Sequence, residues 1–390
     1  MMNVKELDSR YVLPTYARFP LTVTHGKGPY CYDENGKEHI DLGSGIGVNA
    51  LGYSDDAWLS AVKDQLDLIQ HTSNLYYTAP GARLAEELCR RTSYARVFFS
   101  NSGAEANECA IKAARLYAAK KREIKEGYII TLQNSFHGRT VTTLAATGQD
   151  SFHRDFTPLT GGFLYAAPDM DEIRTLVAEN TCIAVMFEPV QGEGGVNLLS
   201  QEFVTELAAF CTEKELLLIA DEVQTGNGRT GKLYACMHYG ITPDITSTAK
   251  GLAGGLPLGA TMMKEDVAAC FAYGLHGSTF GANPVCCAAA LHVLSVMDED
   301  FLRGVEERAA LIHRMLEGQK GIKSLSGLGL MIGIETEGDA GEIIAACLSR
   351  GVLCLKAKHK VRLLPPLNIP LDTLEKAITV LREECAARAK

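Results

Sequence analysis

Lys250 stands apart in the run DITSTAKGLAGGLPLGA, where it is the only charged residue between Asp244 and Lys264. A lysine set among small and apolar residues loses hydration. Desolvation lowers its pKa toward the range in which an amine attacks a carbonyl and forms an imine. The alternative is a solvated surface lysine. Asp221 closes the apolar run LLLIAD and leads into the Gly-rich DEVQTGNGRTG. An acid at the carboxyl end of a parallel strand lies where open α/β sheets bind ligands. There it would pair with a protonated heteroaromatic nitrogen and let that ring accept electrons, a task that needs a charge. Its structural alternative is a helix cap or turn former.

SNSGAEANE places Ser102, Gly103 and Ala104 between a strand and a long helix. Free N–H groups and the dipole at a helix start make a phosphate site. Ser102 followed by Glu105 also fits a purely structural capping box. The run lacks the Walker lysine and the three-glycine dinucleotide spacing, so neither an NTPase nor a nucleotide-dependent dehydrogenase fits. In FHGRT, Phe136 would stack on a planar ligand and Arg139 would clamp a carboxylate, or the two are a core residue and a surface charge. His137 reads equally as an acid/base residue or a structural support. FEPVQGEGG, with Glu193, and VRLLPP, with Arg362, are unremarkable alone. The ten histidines show no metal-binding spacing, and no metal is predicted.

These residues need a scaffold. A chain of 390 residues exceeds the usual reach of one hydrophobic core, so two domains are expected. RVFFS, YIITLQ, CIAVMFEP, LLLIADEV and ITSTAK read as buried strands with helical segments between several of them. That alternation predicts an α/β fold with a mostly parallel sheet flanked by helices. Residues 20–50 read as two or three short antiparallel strands. Helices follow from about 285 to 318, then short strands near 328–335, 352–355 and 361–364, and a closing helix from about 371. The expected division is an N-terminal segment 1–50 joining the small domain, a large domain 51–285 and a small α+β domain 286–390. A net charge of −9 argues against nucleic-acid or anionic-membrane partners, and no run is apolar and long enough to span a bilayer. The twelve cysteines contain no CxxC pair and sit in apolar stretches, which points to a reducing cytoplasm.

Taken in order, DLGSGIGVNALGY, HTSNLYYTAP, NSGAEANE, FHGRT, FEPVQGEGG, DEVQTGNGRTG, STAKGLAGGLPLGA, GSTFGANP and RLLPPL resemble the class III aminotransferases over essentially the whole chain. The resemblance implies fold type I, with a seven-stranded sheet in the large domain, and pyridoxal 5'-phosphate as cofactor. Lys250 would form the imine and shuttle the proton, and Asp221 would pair with the pyridine nitrogen. Val223 and Phe136 would sandwich the ring, and Gln224 would bond its hydroxyl. Ser102, Gly103 and Ala104 would hold the phosphate, and Glu222 falls in the same cofactor-binding stretch. Ser278 and Thr279 would come from the partner subunit of a homodimer, Thr279 reaching the phosphate.

The resemblance further implies transfer of the terminal amine of N2-acetylornithine to 2-oxoglutarate, with Arg139 on the donor carboxylate. Arg362 would bind the diacid, with Glu193 as a displaceable counter-ion. Asn74, Tyr76 and Tyr77 favour this donor by resemblance only. Ornithine, succinylornithine and 4-aminobutyrate remain alternatives, as does a non-catalytic phosphate-ligand binder. Three positions depart from the family pattern: Ala282 for a glycine, Asn227 for a larger apolar residue, and LGYSDDAW without the usual His and Pro.

Overall fold

The computed structural model describes residues 3–389. Its strands, in chain order, are β1 (Val23–Lys27), β2 (Tyr30–Asp33), β3 (Glu38–Asp41), β4 (Arg96–Ser100), β5 (Tyr128–Leu132), β6 (Phe163–Ala166), β7 (Cys182–Phe187), β8 (Val190–Gln191) and β9 (Asn197–Leu198). They continue with β10 (Leu217–Asp221), β11 (Ile245–Thr248), β12 (Gly259–Met263), β13 (Ile322–Leu328), β14 (Met331–Thr336), β15 (Val352–Leu353), β16 (Leu355–Ala357) and β17 (Lys360–Leu363). Seven of them form the large sheet in the order β4-β12-β11-β10-β7-β5-β6. Only β12 runs antiparallel to its neighbours. The sequence patterning had not singled out β6 or β12.

Both faces of the sheet are covered, which is why its strands are apolar on both sides. In β10 the side chains alternate: Leu217 and Ile219 enter the core under the helix Gly103–Lys121, while Leu218 and Ala220 enter the one under Gln201–Glu213. Gly103–Lys121 is built as a helix should be. Ser102 caps it, Glu105 sits in the positive first turn, Lys120 and Lys121 sit in the last, and a run of buried alanines lets it lie close on the strands.

The N-terminal strands join the C-terminal part of the chain: β3 pairs in parallel with β15, and β1-β2-β3-β15 form one sheet. A second small sheet, β13-β14-β17-β16, carries Arg362 on β17. The helix Pro284–Val296 packs on Asp56–Leu68 and Ala79–Thr92, on the side of the large sheet. We propose that the boundary between domains falls after this helix rather than at 285/286.

Candidate active site

Three neighbouring parallel strands, β7, β10 and β11, end at one edge of the sheet, and their last residues open onto a cavity of about 460 Å³. Glu188 follows β7, Asp221 ends β10, and Lys250 lies two residues past β11. All three line the cavity, together with Asn101, Ser102, Gly103, Ala104, Asn107, Phe136, His137, Arg139, Glu193, Val223 and Gln224.

Asp221 is held as a carboxylate acceptor from three directions. Asn107 Nδ2 donates to it at 2.7 Å, His137 Nδ1 lies at 2.8 Å, and the Val223 N–H donates at 3.0 Å. The Asn107 amide is itself locked, donating to the His137 carbonyl at 2.7 Å and accepting from Ser247 Oγ at 2.5 Å. Glu188 accepts from the Phe136 N–H at 2.8 Å. Burial, and then the proximity of Asp221, push its carboxyl well above the usual range. Two carboxylates at adjacent strand ends cannot both be cheaply ionised, and it is Glu188 whose ionisation this site resists. Burial also holds the Lys250 amine below the ordinary lysine range, against the pull of Glu193 and Asp221. Its backbone lies at φ +46°. That left-handed conformation is rare for a residue with a β-carbon.

The helix beginning at Gly103 faces the same space. Its first N–H groups have no intrahelical acceptor. A β-carbon on Gly103 would lie 2.5 Å from Val223 Cγ1, so only glycine lets the helix start lie flush against the residue that covers the cavity floor. On the far side, Arg362 is 3% exposed and bonds Glu193 Oε1 at 2.5 Å and Gln224 Oε1 at 3.4 Å, whereas the Glu193 side chain is 31% exposed. The cation is buried and its counter-ion lies on the solvent side. Arg139 is exposed at the cavity wall, its guanidinium 4.3 Å from the Phe152 ring and 5.5 Å from that of Phe136.

Most of the residues singled out by sequence meet in this one space. Arg362 reaches it through Glu193 and Gln224. Glu222 does not belong to it: fully buried, its carboxylate takes the N–H groups of Ala235 and Cys236 and the Thr225 hydroxyl, so it braces the loop after Asp221. The Ser102 hydroxyl bonds both the Glu105 N–H and the Glu105 carboxylate, but that carboxylate returns to the Asn101 N–H and not to the Ser102 N–H, so half of the expected capping box forms. Ser278 and Thr279 do not line this chain's own cavity. Ser278 Oγ accepts from Asn101 Nδ2 at 3.2 Å and Thr279 is exposed. Asn74 ties down that loop by donating to the Ser278 and Gly281 carbonyls, both at 3.0 Å. His137 emerges as a support of Asp221. Asn107 and Glu188 were missed. The signal for Asn107 was a polar residue one turn into an otherwise apolar helix face, and for Glu188 a buried acid directly after a fully apolar strand.

The residues fit a phosphorylated heteroaromatic aldehyde: a desolvated amine, a carboxylate for a ring nitrogen, a helix N-terminus flush with a covering valine, and aromatic and aliphatic walls. This arrangement on a mostly parallel seven-stranded sheet defines a fold type I site for pyridoxal 5'-phosphate. A family model described as "Aminotransferase class-III" matches residues 11–384, and the chain belongs to that family of pyridoxal-phosphate-dependent enzymes, which move an amino group from a donor to a keto acid. It is 49% identical to the acetylornithine aminotransferase of Haemophilus ducreyi over 98% of both chains. Among solved structures, it resembles the ornithine aminotransferase of Toxoplasma gondii, whose description reports partial occupancy of PLP at the active site (TM-score 0.93, 31% identity, 98% of this chain and 93% of that one). It also resembles the N-acetylornithine aminotransferase of Stenotrophomonas maltophilia (TM-score 0.84, 32% identity, 98% of each). No helix among the described residues is long and apolar enough to cross a membrane.

Proposed function

We propose that this aminotransferase moves the terminal amino group of N2-acetylornithine to 2-oxoglutarate, giving N-acetylglutamate 5-semialdehyde and glutamate, a step of arginine biosynthesis. The observation that carries the donor is the commitment of every carboxylate lining the cavity. Asp221 is held by Asn107, His137 and Val223, Glu188 by the Phe136 N–H, and Glu193 by Arg362. A free α-ammonium beside Arg139 would find none of these carboxylates free to pair with it and would be repelled by the guanidinium, whose two neighbouring rings are already taken. An acylated α-nitrogen carries no charge and meets no such repulsion. The identity to acetylornithine aminotransferases supports the same choice over ornithine and 4-aminobutyrate.

Pyridoxal 5'-phosphate, when bound, supplies an aldehyde that takes up the amine and a ring that accepts electrons from the carbon bearing it. Lys250 Nζ, kept low in pKa by burial, has a neutral form with which to take and return a proton. Asp221 would hold a ring-nitrogen proton, and Gly103, Ala104 and Ser102 would offer the helix start to the phosphate. Phe136 and Val223 would cover the ring, with Gln224 available to its hydroxyl. Arg139 orients the donor carboxylate; Arg362 takes the second carboxylate of the keto acid once Glu193 moves aside. Thr279, exposed on this chain, fits a role in the phosphate site of a second copy, so the working unit is read as a homodimer. Twelve unpaired thiols, eleven of them buried, accord with a cytoplasmic location.

The test is a donor panel (N2-acetylornithine, succinylornithine, ornithine and 4-aminobutyrate) at saturating 2-oxoglutarate. Acetylornithine should give the highest kcat/KM, and ornithine outpacing it would remove the substrate assignment. Borohydride reduction should fix the cofactor on the peptide containing Lys250; a protein left unlabelled would instead be a non-catalytic binder.

A further inference from the structure

Asn227, the departure from the family pattern in TGNGRTG, is buried in the loop that follows Asp221. Its Nδ2 donates to Thr248 Oγ1 and to the Ala249 carbonyl, both at 2.9 Å. Its Oδ1 has no hydrogen-bond partner, so this position uses the donor half of the amide. The residue adopts φ +57°, which asparagine tolerates better than an apolar side chain does. Ala249 immediately precedes Lys250, itself at φ +46°. A left-handed lysine persists only where its surroundings hold it.

The other end of the bridge is rigid. The Glu222 carboxylate closes the loop onto Ala235 and Cys236, and the Gly228 N–H donates to the Leu233 carbonyl at 3.3 Å. The loop leaving the strand of Asp221 therefore reaches across to fix the peptide plane that carries Lys250.

We propose that Asn227 is a positioning residue for Lys250: by holding the Ala249 carbonyl it fixes the left-handed backbone from which the amine meets the cofactor aldehyde. The amine and aldehyde condense with release of water, and a fixed amine favours the linked form. This rests on the reading of Lys250 as the condensing amine.

The experiment is a double-mutant cycle on the dissociation constant of pyridoxal 5'-phosphate, measured by equilibrium titration of the apo forms of the native protein, Asn227→Leu, Lys250→Ala and the double variant. Loss of two hydrogen bonds should weaken binding about tenfold when Lys250 is present. With Lys250→Ala the same substitution should change it less than about twofold, because nothing remains to be positioned. Equal weakening in both backgrounds, or none in either, would overturn the proposal by making Asn227 a plain loop residue. Apo melting temperatures report folding, and Asn227→Asp, which keeps the shape and loses the donor, replaces the leucine variant if that one does not fold. If Lys250→Ala alone left affinity unchanged, the assignment of Lys250 would fail first, and that result is separate from the cycle.

Discussion

Glu193 and Arg362 give the sharpest test of how one cavity serves two substrates. Arg362 is nearly fully buried and Glu193 about one-third exposed, so the pair lies between the surface and interior cases. Exposed pairs contribute about 0–1 kcal/mol. Removing one partner of a buried pair costs about 3–5 kcal/mol, mostly from the stranded charge. The expected value for Glu193→Ala is therefore about 1–3 kcal/mol, or roughly 5- to 150-fold in an equilibrium. The sign differs between half-reactions. Glutamate must displace Glu193 to reach Arg362, so the variant should accept it more readily. Acetylornithine has no second carboxylate to offer and would bind beside an unpaired cation. Single-turnover reactions followed by cofactor absorbance give kcat/KM for each. The glutamate-to-acetylornithine ratio should rise within that range. A ratio that moves less than about twofold would mean that the ion pair does not compete with the diacid, and the switch would be refuted.

Asp221→Asn keeps the shape but removes the charge and turns one acceptor into a donor; kcat should fall by at least about 10²–10³, and the melting temperature separates this loss from any change in folding. Gly103→Ala drives a β-carbon to 2.5 Å from Val223 Cγ1, so titration should show weaker cofactor binding, with kcat largely retained at saturating cofactor. In the apoenzyme, the lowered pKa of Lys250 means that the unfolded chain binds more protons between that pKa and 10.5. Stability should rise with pH across that window, and Lys250→Met, followed by denaturant titration at several pH values, should flatten the rise. Glu188 has the opposite sign. Its folded carboxyl is raised, so the stability that it contributes is full below 4.5 and is lost as pH climbs through the raised pKa, a loss that Glu188→Gln should abolish.

The parallel strands were legible because their composition leaves few alternatives: CIAVMF and LLLIAD are apolar on both faces, and only a doubly covered sheet buries both. Lys250 was legible as a lone charge past a strand, Asp221 as the acid that closes an apolar strand, and Gly103 as the glycine before a long helix. The supports were not. Asn107 and Asp221 are 114 positions apart, and Asn227 and Ala249 meet across 22, so their pairing depends on which strands become neighbours. Glu222 was misplaced for a related reason. Adjacent residues leaving a strand point to opposite sides, so the neighbour of a cavity-facing acid faces away from the cavity.

The charge order of the site follows from the register of the sheet. Ala220 pairs with Phe187 on one side, and Asp221 pairs with Ser247 on the other. Strands about 4.8 Å apart therefore set a carboxyl after β7, a carboxylate at the end of β10 and an amine after β11 in a row across the cavity floor. The middle member has three polar partners, Asn107, His137 and the Val223 N–H, and stands between a raised acid and a depressed amine. A slip of one residue in β10 would turn Asp221 into the core and aim Ala220 or Glu222 at the cavity. Neither could replace it, because Asn107 and His137 are fixed to different elements and would not follow. The chemistry is thus specified by pairing between strands as much as by the residues that perform it.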